Sequence, residues 1–129
     1  MNYNNNQSIF VQIADRISER ILSGVYKEHE RIPSVREMAV EMEVNPNTVM
    51  RSFERLQSYN IIYNKRGIGY FVSEEADSKI RQMRHNQFIE EILPSVFKEM
   101  DLLGVSIEDF IETYNKYISS VKINENEKE

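Results

Sequence analysis

Ile32-Pro33-Ser34-Val35-Arg36-Glu37-Met38-Ala39-Val40-Glu41-Met42-Glu43-Val44-Asn45-Pro46-Asn47-Thr48-Val49 holds two helix starts and the turn between them. Ser34 followed three residues later by Glu37 is a capping-box pattern, each side chain satisfying a backbone donor that the first helical turn leaves free. The pattern predicts a helix to about Met42. Glu43 and Val44 then make a short turn. Asn45 suits the N-cap, and Pro46 suits the first helical position, where its missing N–H costs nothing. That helix is predicted to reach about Ser58. Upstream, Ile9, Ile13, Ile17 and Ile21 recur every four residues with Phe10, Ala14 and Leu22 beside them, an amphipathic helix over about residues 8–23. It stops at Ser23-Gly24, and Val25 to Ile32 reads as a loop ending at Pro33. A longer helix followed by two helices around a short turn is the helix-turn-helix order.

Downstream, Ile61-Ile62-Tyr63-Asn64 and Ile68-Gly69-Tyr70-Phe71-Val72 flank Lys65-Arg66-Gly67, two β-rich runs about a glycine turn. This hairpin is the expected wing. From Glu75 to Leu103 a helical pattern places Ile89, Val96 and Leu103 seven residues apart, with Leu93 and Met100 between them. Pro94 is expected to bend or interrupt it, and Gly104 to close it. Ser106 with Asp109 opens a last helix that carries Ile107, Ile111, Tyr114, Ile118 and Val121 on one stripe. Residues 122–129 read as a disordered charged tail. The fold class is therefore mainly α with a small β-hairpin wing: an N-terminal winged helix-turn-helix over residues 1–73 and a helical dimerisation region over residues 74–129.

The net charge of −5 is unevenly spread. Residues 1–73 hold nine Lys/Arg and eight Asp/Glu, whereas residues 74–129 hold seven and thirteen. The asymmetry suits a nucleic-acid module joined to an acidic assembly module, with the basic side chains acting by placement rather than by number. Nothing approaches a membrane span, and the Asn-rich start lacks the basic-then-apolar build of a signal peptide. The expectation is a soluble, cytoplasmic protein. With no cysteine there are no disulfides, thiolate zinc sites or thiol nucleophiles. Glu74-Glu75 and Glu90-Glu91 are sequence neighbours and point about 100° apart on a helix. His29 and His85 lie far apart and read as surface histidines, and Gly67-Ile68-Gly69 belongs to the wing rather than to a phosphate loop. No enzyme activity, metal or cofactor is expected.

On a helical wheel Val49, Phe53 and Leu56 form the buried side of the third helix. Asn47, Arg51 and Ser58 lie opposite, with Thr48 and Arg55 just to one side. Arg51 is the first choice for a base contact, because a guanidinium can bond both guanine acceptors in the major groove. Arg36 is placed to reach the backbone or a neighbouring base. Lys65 and Arg66 at the hairpin tip suit phosphates or a minor groove. Any exposed helix face carries such residues. Their convergence with a basic wing favours double-stranded DNA over the alternative, a winged-helix protein-interaction module.

Gln12-Ile13, the segment Ile32 to Ala39, Val44 to Val49, and Arg66 to Val72 together resemble the GntR family of bacterial regulators over about residues 8–73. The resemblance implies that Arg36, Asn47, Thr48, Arg51, Gly67 and Gly69 lie at the DNA. Ser34, Asn45, Arg55, Lys65 and Arg66 complete the set expected there. Family members usually carry glycine where this chain has His29, Glu43 and Asn60. Asn60 suits a left-handed turn, His29 suits it less, and Glu43 is expected to use a different turn. Met50 stands where the family is often basic. The 56 residues after the wing resemble the short YtrA-like branch, whose two added helices dimerise. This implies a homodimeric repressor on a pseudo-palindromic operator, in a branch that often controls transporter genes. The expected dimer face is Phe88, Ile92, Val96, Phe97, Met100, Phe110, Tyr114 and Tyr117. An interface containing Met83, Met100 and aromatics has room for a small apolar effector, though nothing in the sequence demands one.

Overall fold

The computed structural model describes residues 7–127. The chain divides into two compact units, one ending at Gln87 and one beginning at Phe88. The first contains α1 (Ile9–Leu22), α2 (Val35–Met42), α3 (Pro46–Ser58), β1 (Ile62–Lys65), β2 (Gly69–Val72) and α4 (Ala76–Gln87). The second contains a π-helical turn (Phe88–Ile92), α5 (Leu93–Leu103) and α6 (Ile107–Glu127).

Both predicted helix starts form as the sequence indicates. The Ser34 backbone N–H donates to Glu37 Oε1 and the Glu37 N–H to Ser34 Oγ, each at 3.1 Å; the donation from the Ser34 backbone N–H, with the Ser34 hydroxyl beside it, holds the Glu37 carboxyl below its usual range. The Asn45 side chain accepts from the Asn47 N–H at 2.8 Å, with Pro46 opening α3. One core then joins three helices: Ile13, Ala14, Ile17 and Ile21 of α1, Met38, Ala39 and Met42 of α2, and Val49, Phe53 and Leu56 of α3. Ile9, counted on the same stripe, is exposed instead.

The hairpin pairs antiparallel from Ile62↔Val72 to Lys65↔Gly69. The segment before α2, read as a loop, also bonds to it. The His29 N–H donates to the Val72 carbonyl, the Val72 N–H to the Glu30 carbonyl and the Ile32 N–H to the Tyr70 carbonyl, at 2.8, 3.0 and 2.9 Å, leaving Arg31 opposite Phe71. The wing thus gains a third extended segment along one edge.

His29, Glu43 and Asn60 all take the left-handed conformation, with φ of 63°, 56° and 59°. Glu43 therefore keeps the turn for which the family uses glycine, contrary to the expectation of a different one. The reason lies in the hydrogen bonds it completes. The Glu43 N–H reaches the Val40 carbonyl and the Val44 N–H the Ala39 carbonyl, so the carbonyls at the end of α2 are satisfied only if the chain turns left there.

Helix α4 lies in the first compact unit, which ends at Gln87, because Ala76, Ile80 and Met83 are buried in that unit's core. Met83 is fully buried there and is unavailable to a dimer face. In the second unit the interruption expected from Pro94 appears as the π-helical turn just before it. The wider turn accommodates a residue that lacks an N–H and would crowd the carbonyl four residues back. Gly104 closes α5 at φ 68°, and Ser106 with Asp109 forms the second capping box. The tail expected to be disordered from residue 122 is helical to Glu127, since no glycine or proline interrupts it and Ile123 extends the apolar series; residues 128–129 lie outside the described residues.

A left-handed L-residue costs roughly 1–2 kcal/mol, against roughly 0.5–1 kcal/mol of extra chain entropy for glycine. Glu43→Gly is therefore expected to raise the melting temperature by a few degrees, whereas Glu43→Ala, which keeps a Cβ, should not. Equal melting temperatures for the glycine variant and the wild type would show that the turn is unstrained.

Candidate nucleic-acid interface

Helix α3 buries Val49, Ser52, Phe53 and Leu56 and exposes Asn47, Met50, Arg51, Glu54 and Ser58. The wheel placed Asn47, Arg51 and Ser58 on the open side, and all three are exposed. Thr48 is half-buried. Glu54 presents a carboxylate one turn beyond Arg51, so the surface able to accept a phosphate-rich partner is confined to the N-terminal half of α3. Arg36 is exposed in the first turn of α2. Ser34 and Asn45 have acceptors committed to helix caps, and the Ser34 hydroxyl also faces the Glu37 carboxyl, which leaves the Asn45 amide N–H groups for a ligand.

The guanidinium carbon of Arg51 lies 4.2 Å from the centroid of the Phe10 ring. Next to Arg51, the Ser52 hydroxyl donates to the Phe10 carbonyl at 2.6 Å, tying the first turn of α1 to the recognition helix.

The wing is docked on the same helix. Tyr70 meets Phe53 edge to face, with centroids 4.8 Å apart and planes at 77°, and its hydroxyl lies 4.0 Å from the Met50 sulfur. On the opposite face of the hairpin Tyr63 stacks on Phe71, and Lys65 Nζ lies 4.7 Å from the Phe71 centroid. At the tip the Ile68 N–H returns to the Lys65 carbonyl, a turn that needs Gly67 at φ 79° and leaves Arg66 exposed. Gly69 has a different role. A Cβ there would come within 2.7 Å of Arg31 Nε, so the missing side chain is the space through which Arg31 passes. Arg31 was not singled out from sequence because its segment reads as a loop. The available signal was the charged pair Glu30-Arg31 followed by apolar Ile32 just ahead of the proline.

Arg55 departs from its expected place. It is half-buried, its Nε is enclosed without a protein partner, and it lies beside Asp15 of α1 rather than on the open face. The wheel gives only an angle about the helix axis, and on that side lies Asp15 of α1, whose carboxyl is also near Arg84 and Gln87 of α4. Burial pushes the Asp15 carboxyl above its ordinary range, opposed by Arg84, the Gln87 amide and Arg55. Arg84 also pairs with Glu19.

In the second unit no described residue is buried. Phe88, Phe97, Tyr114 and Tyr117 are exposed, and Ile92, Val96, Met100 and Phe110 are half-buried, so none of the eight belongs to a closed core within this chain. Leu102 and Leu103 are each 72% exposed, which marks the apolar surface as unpartnered. Among the described residues, no helix is long and apolar enough to cross a membrane, and no cluster of three or more His, Asp or Glu side chains could hold a metal.

The sequence profile for "Bacterial regulatory proteins, gntR family" matches residues 10–72. The HTH-type transcriptional regulator YhcF of Bacillus subtilis is 33% identical over 110 residues, covering 85% of this chain and 89% of its own length. The HTH-type transcriptional repressor YtrA of the same organism is 32% identical over 114 residues, covering 88% and 87%. The crystal structure of a GntR-family transcriptional regulator from Bacteroides thetaiotaomicron superposes with a TM-score of 0.65 at 50% identity, covering 88% of this chain and 98% of that one.

Because the folded-state pKa of Asp15 is raised, the stability this group contributes is fully present below the ordinary carboxylate range and is lost as pH rises through the raised value. Asp15→Asn imitates the protonated acid. It is expected to melt above wild type at neutral pH and together with it in acid; a lower melting temperature at neutral pH would mean that the attraction to Arg84 and Arg55 outweighs burial.

Proposed function

The chain belongs to the GntR family of bacterial regulatory proteins and is a DNA-binding transcription regulator rather than an enzyme, and we propose that it is a repressor that binds a pseudo-palindromic operator as a homodimer. The observation that carries the DNA-facing half of this reading is the junction of Tyr70 with Phe53, which holds a basic wing at a fixed place beside the exposed N-terminal half of α3. In this reading Arg51 reads a base edge, with Asn47 and Thr48 alongside it. Arg36, Lys65, Arg66 and the backbone around Gly67 and Gly69 contact phosphates or the neighbouring groove. Asn45 contributes what its cap leaves free, Ser34 caps the helix that carries Arg36, and Arg31 joins the wing contacts. Arg55 is withdrawn from the set.

Assembly is supported by the uncovered apolar surface of the second unit, since a second copy supplies the same surface in return. The proposed face comprises Phe88, Ile92, Val96, Phe97, Met100, Phe110, Tyr114 and Tyr117. A two-fold dimer presents two copies of α3 to half-sites related by symmetry. Repression is inferred from the similarity to the protein named as the repressor YtrA. A cytoplasmic location follows from that role, and no effector is required by it.

A duplex selected from a randomised library by the wild-type chain provides the test. Arg51→Ala is expected to lose roughly five- to a hundredfold in affinity for it, with little change on a scrambled duplex. Arg66→Ala should weaken both duplexes alike and reduce the salt slope by about one. Binding that ignores salt and sequence would favour the protein-interaction module. In light scattering the wild type should run at twice the chain mass, and Phe97→Glu combined with Tyr117→Glu at the chain mass with the winged domain still folded. A monomeric wild type at micromolar concentration would overturn the dimer.

A further inference from the structure

Phe10 has no evident place in the core. Its ring is half-buried, and it belongs neither to the buried cluster nor to the partly buried apolar residues packed against that cluster. Ile9 beside it is 54% exposed. Core packing therefore does not account for a large aromatic ring at this position. What the ring does meet is Arg51, whose guanidinium carbon lies 4.2 Å from its centroid. The backbone that carries the ring is tied to the same helix, because the hydroxyl of Ser52, the residue after Arg51, donates to the Phe10 carbonyl.

We propose that Phe10 is a positioning residue for base recognition, a platform that holds the Arg51 side chain extended before DNA arrives. The proposal rests on the reading of Arg51 as a base contact. A guanidinium attracted to an aromatic ring through its face keeps its N–H donors, which lie in the plane at its edge. Arg51 is exposed, and none of the ion pairs among the described residues includes it, so those donors are not taken up by a carboxylate. A long side chain confined to one region of space before binding loses less conformational freedom on contact than one that moves freely.

The arrangement matters more in this chain because Arg51 has no cationic neighbour in its half of α3. Met50 precedes it, Arg55 is drawn toward Asp15, and Glu54 bounds the surface beyond it. The cationic part of base discrimination by this half of α3 then depends on where one guanidinium sits. Arg36 and Arg66, also exposed, have no ring beneath them among the described residues, which suits phosphate contacts that tolerate looser placement.

The experiment measures fluorescence-anisotropy titrations of four variants, Phe10→Leu, Phe10→Tyr, Arg51→Ala and the double variant Phe10→Leu/Arg51→Ala. The probes are the library-selected duplex and derivatives carrying single base-pair changes. Arg51→Ala identifies the base pair at which discrimination is lost. Phe10→Leu is expected to weaken binding about two- to fivefold, to reduce discrimination at that same base pair and to leave the salt slope unchanged. Phe10→Tyr should restore wild-type behaviour, and Phe10→Leu should add nothing in the Arg51→Ala background. A Phe10→Leu effect that persists undiminished without Arg51, or that falls equally on every duplex, would overturn the proposal and assign the ring a structural role. So would an unchanged Phe10→Leu variant beside an impaired Arg51→Ala variant. An Arg51→Ala variant that binds as wild type does would instead overturn the base-contact reading beneath it.

Discussion

Phe53 is the joint on which the winged domain turns. Its ring is fully buried among side chains of α1, α2 and α3, and it also receives the edge of Tyr70 from β2. Phe53 thus touches both the packing beneath the recognition helix and the wing, alongside Val49 and Leu56 of α3 and Ile62 and Val72 of the hairpin in the same core. Truncating a ring so placed costs roughly 3–5 kcal/mol, a large share of the roughly 5–15 kcal/mol that holds a domain together. The surface side chains of α3 can vary with the sequence to be read, whereas this contact keeps helix and hairpin in register with one another.

With that joint in place, a chain of net charge −5 can still serve a polyanion. Arg36 and Arg51 stand on the helix-turn-helix, Lys65 and Arg66 on the hairpin, and Arg31 reaches the hairpin along its added edge through the gap left by Gly69. The excess acid lies in the second half of the sequence. Within α3 itself Glu54 limits the basic surface to the first turns, where the positive end of the helix dipole also favours an anion. Placement thus does what net charge cannot.

Local chemistry was the legible part of the sequence. Capping residues act over three positions, so Ser34 with Glu37, Asn45 with Pro46, and Ser106 with Asp109 announce the helix starts at which they are found. The less legible features depend on partners distant in sequence. Glu43 is held in a left-handed turn by the needs of α2's last carbonyls, which overrule its own preference. Arg55 lies beside Asp15, and the first unit extends to Gln87 because α4 packs onto α1; both depend on neighbours that α3 and residues 1–73 do not foretell. Arg31 and Phe10 acquire their surroundings only from a strand edge and a neighbouring helix. The open side of α3 was readable because one helix alone determines it.

The most direct test of the central claim, that the docked pair of α3 and wing is the DNA-reading surface, is a map of backbone amide chemical-shift changes on adding a library-selected duplex to the isotopically labelled chain. The account predicts changes concentrated at residues 34–37, 45–51 and 65–69 together, with α6 unaffected. Changes confined to α5 and α6, or to α3 without the hairpin, would contradict it.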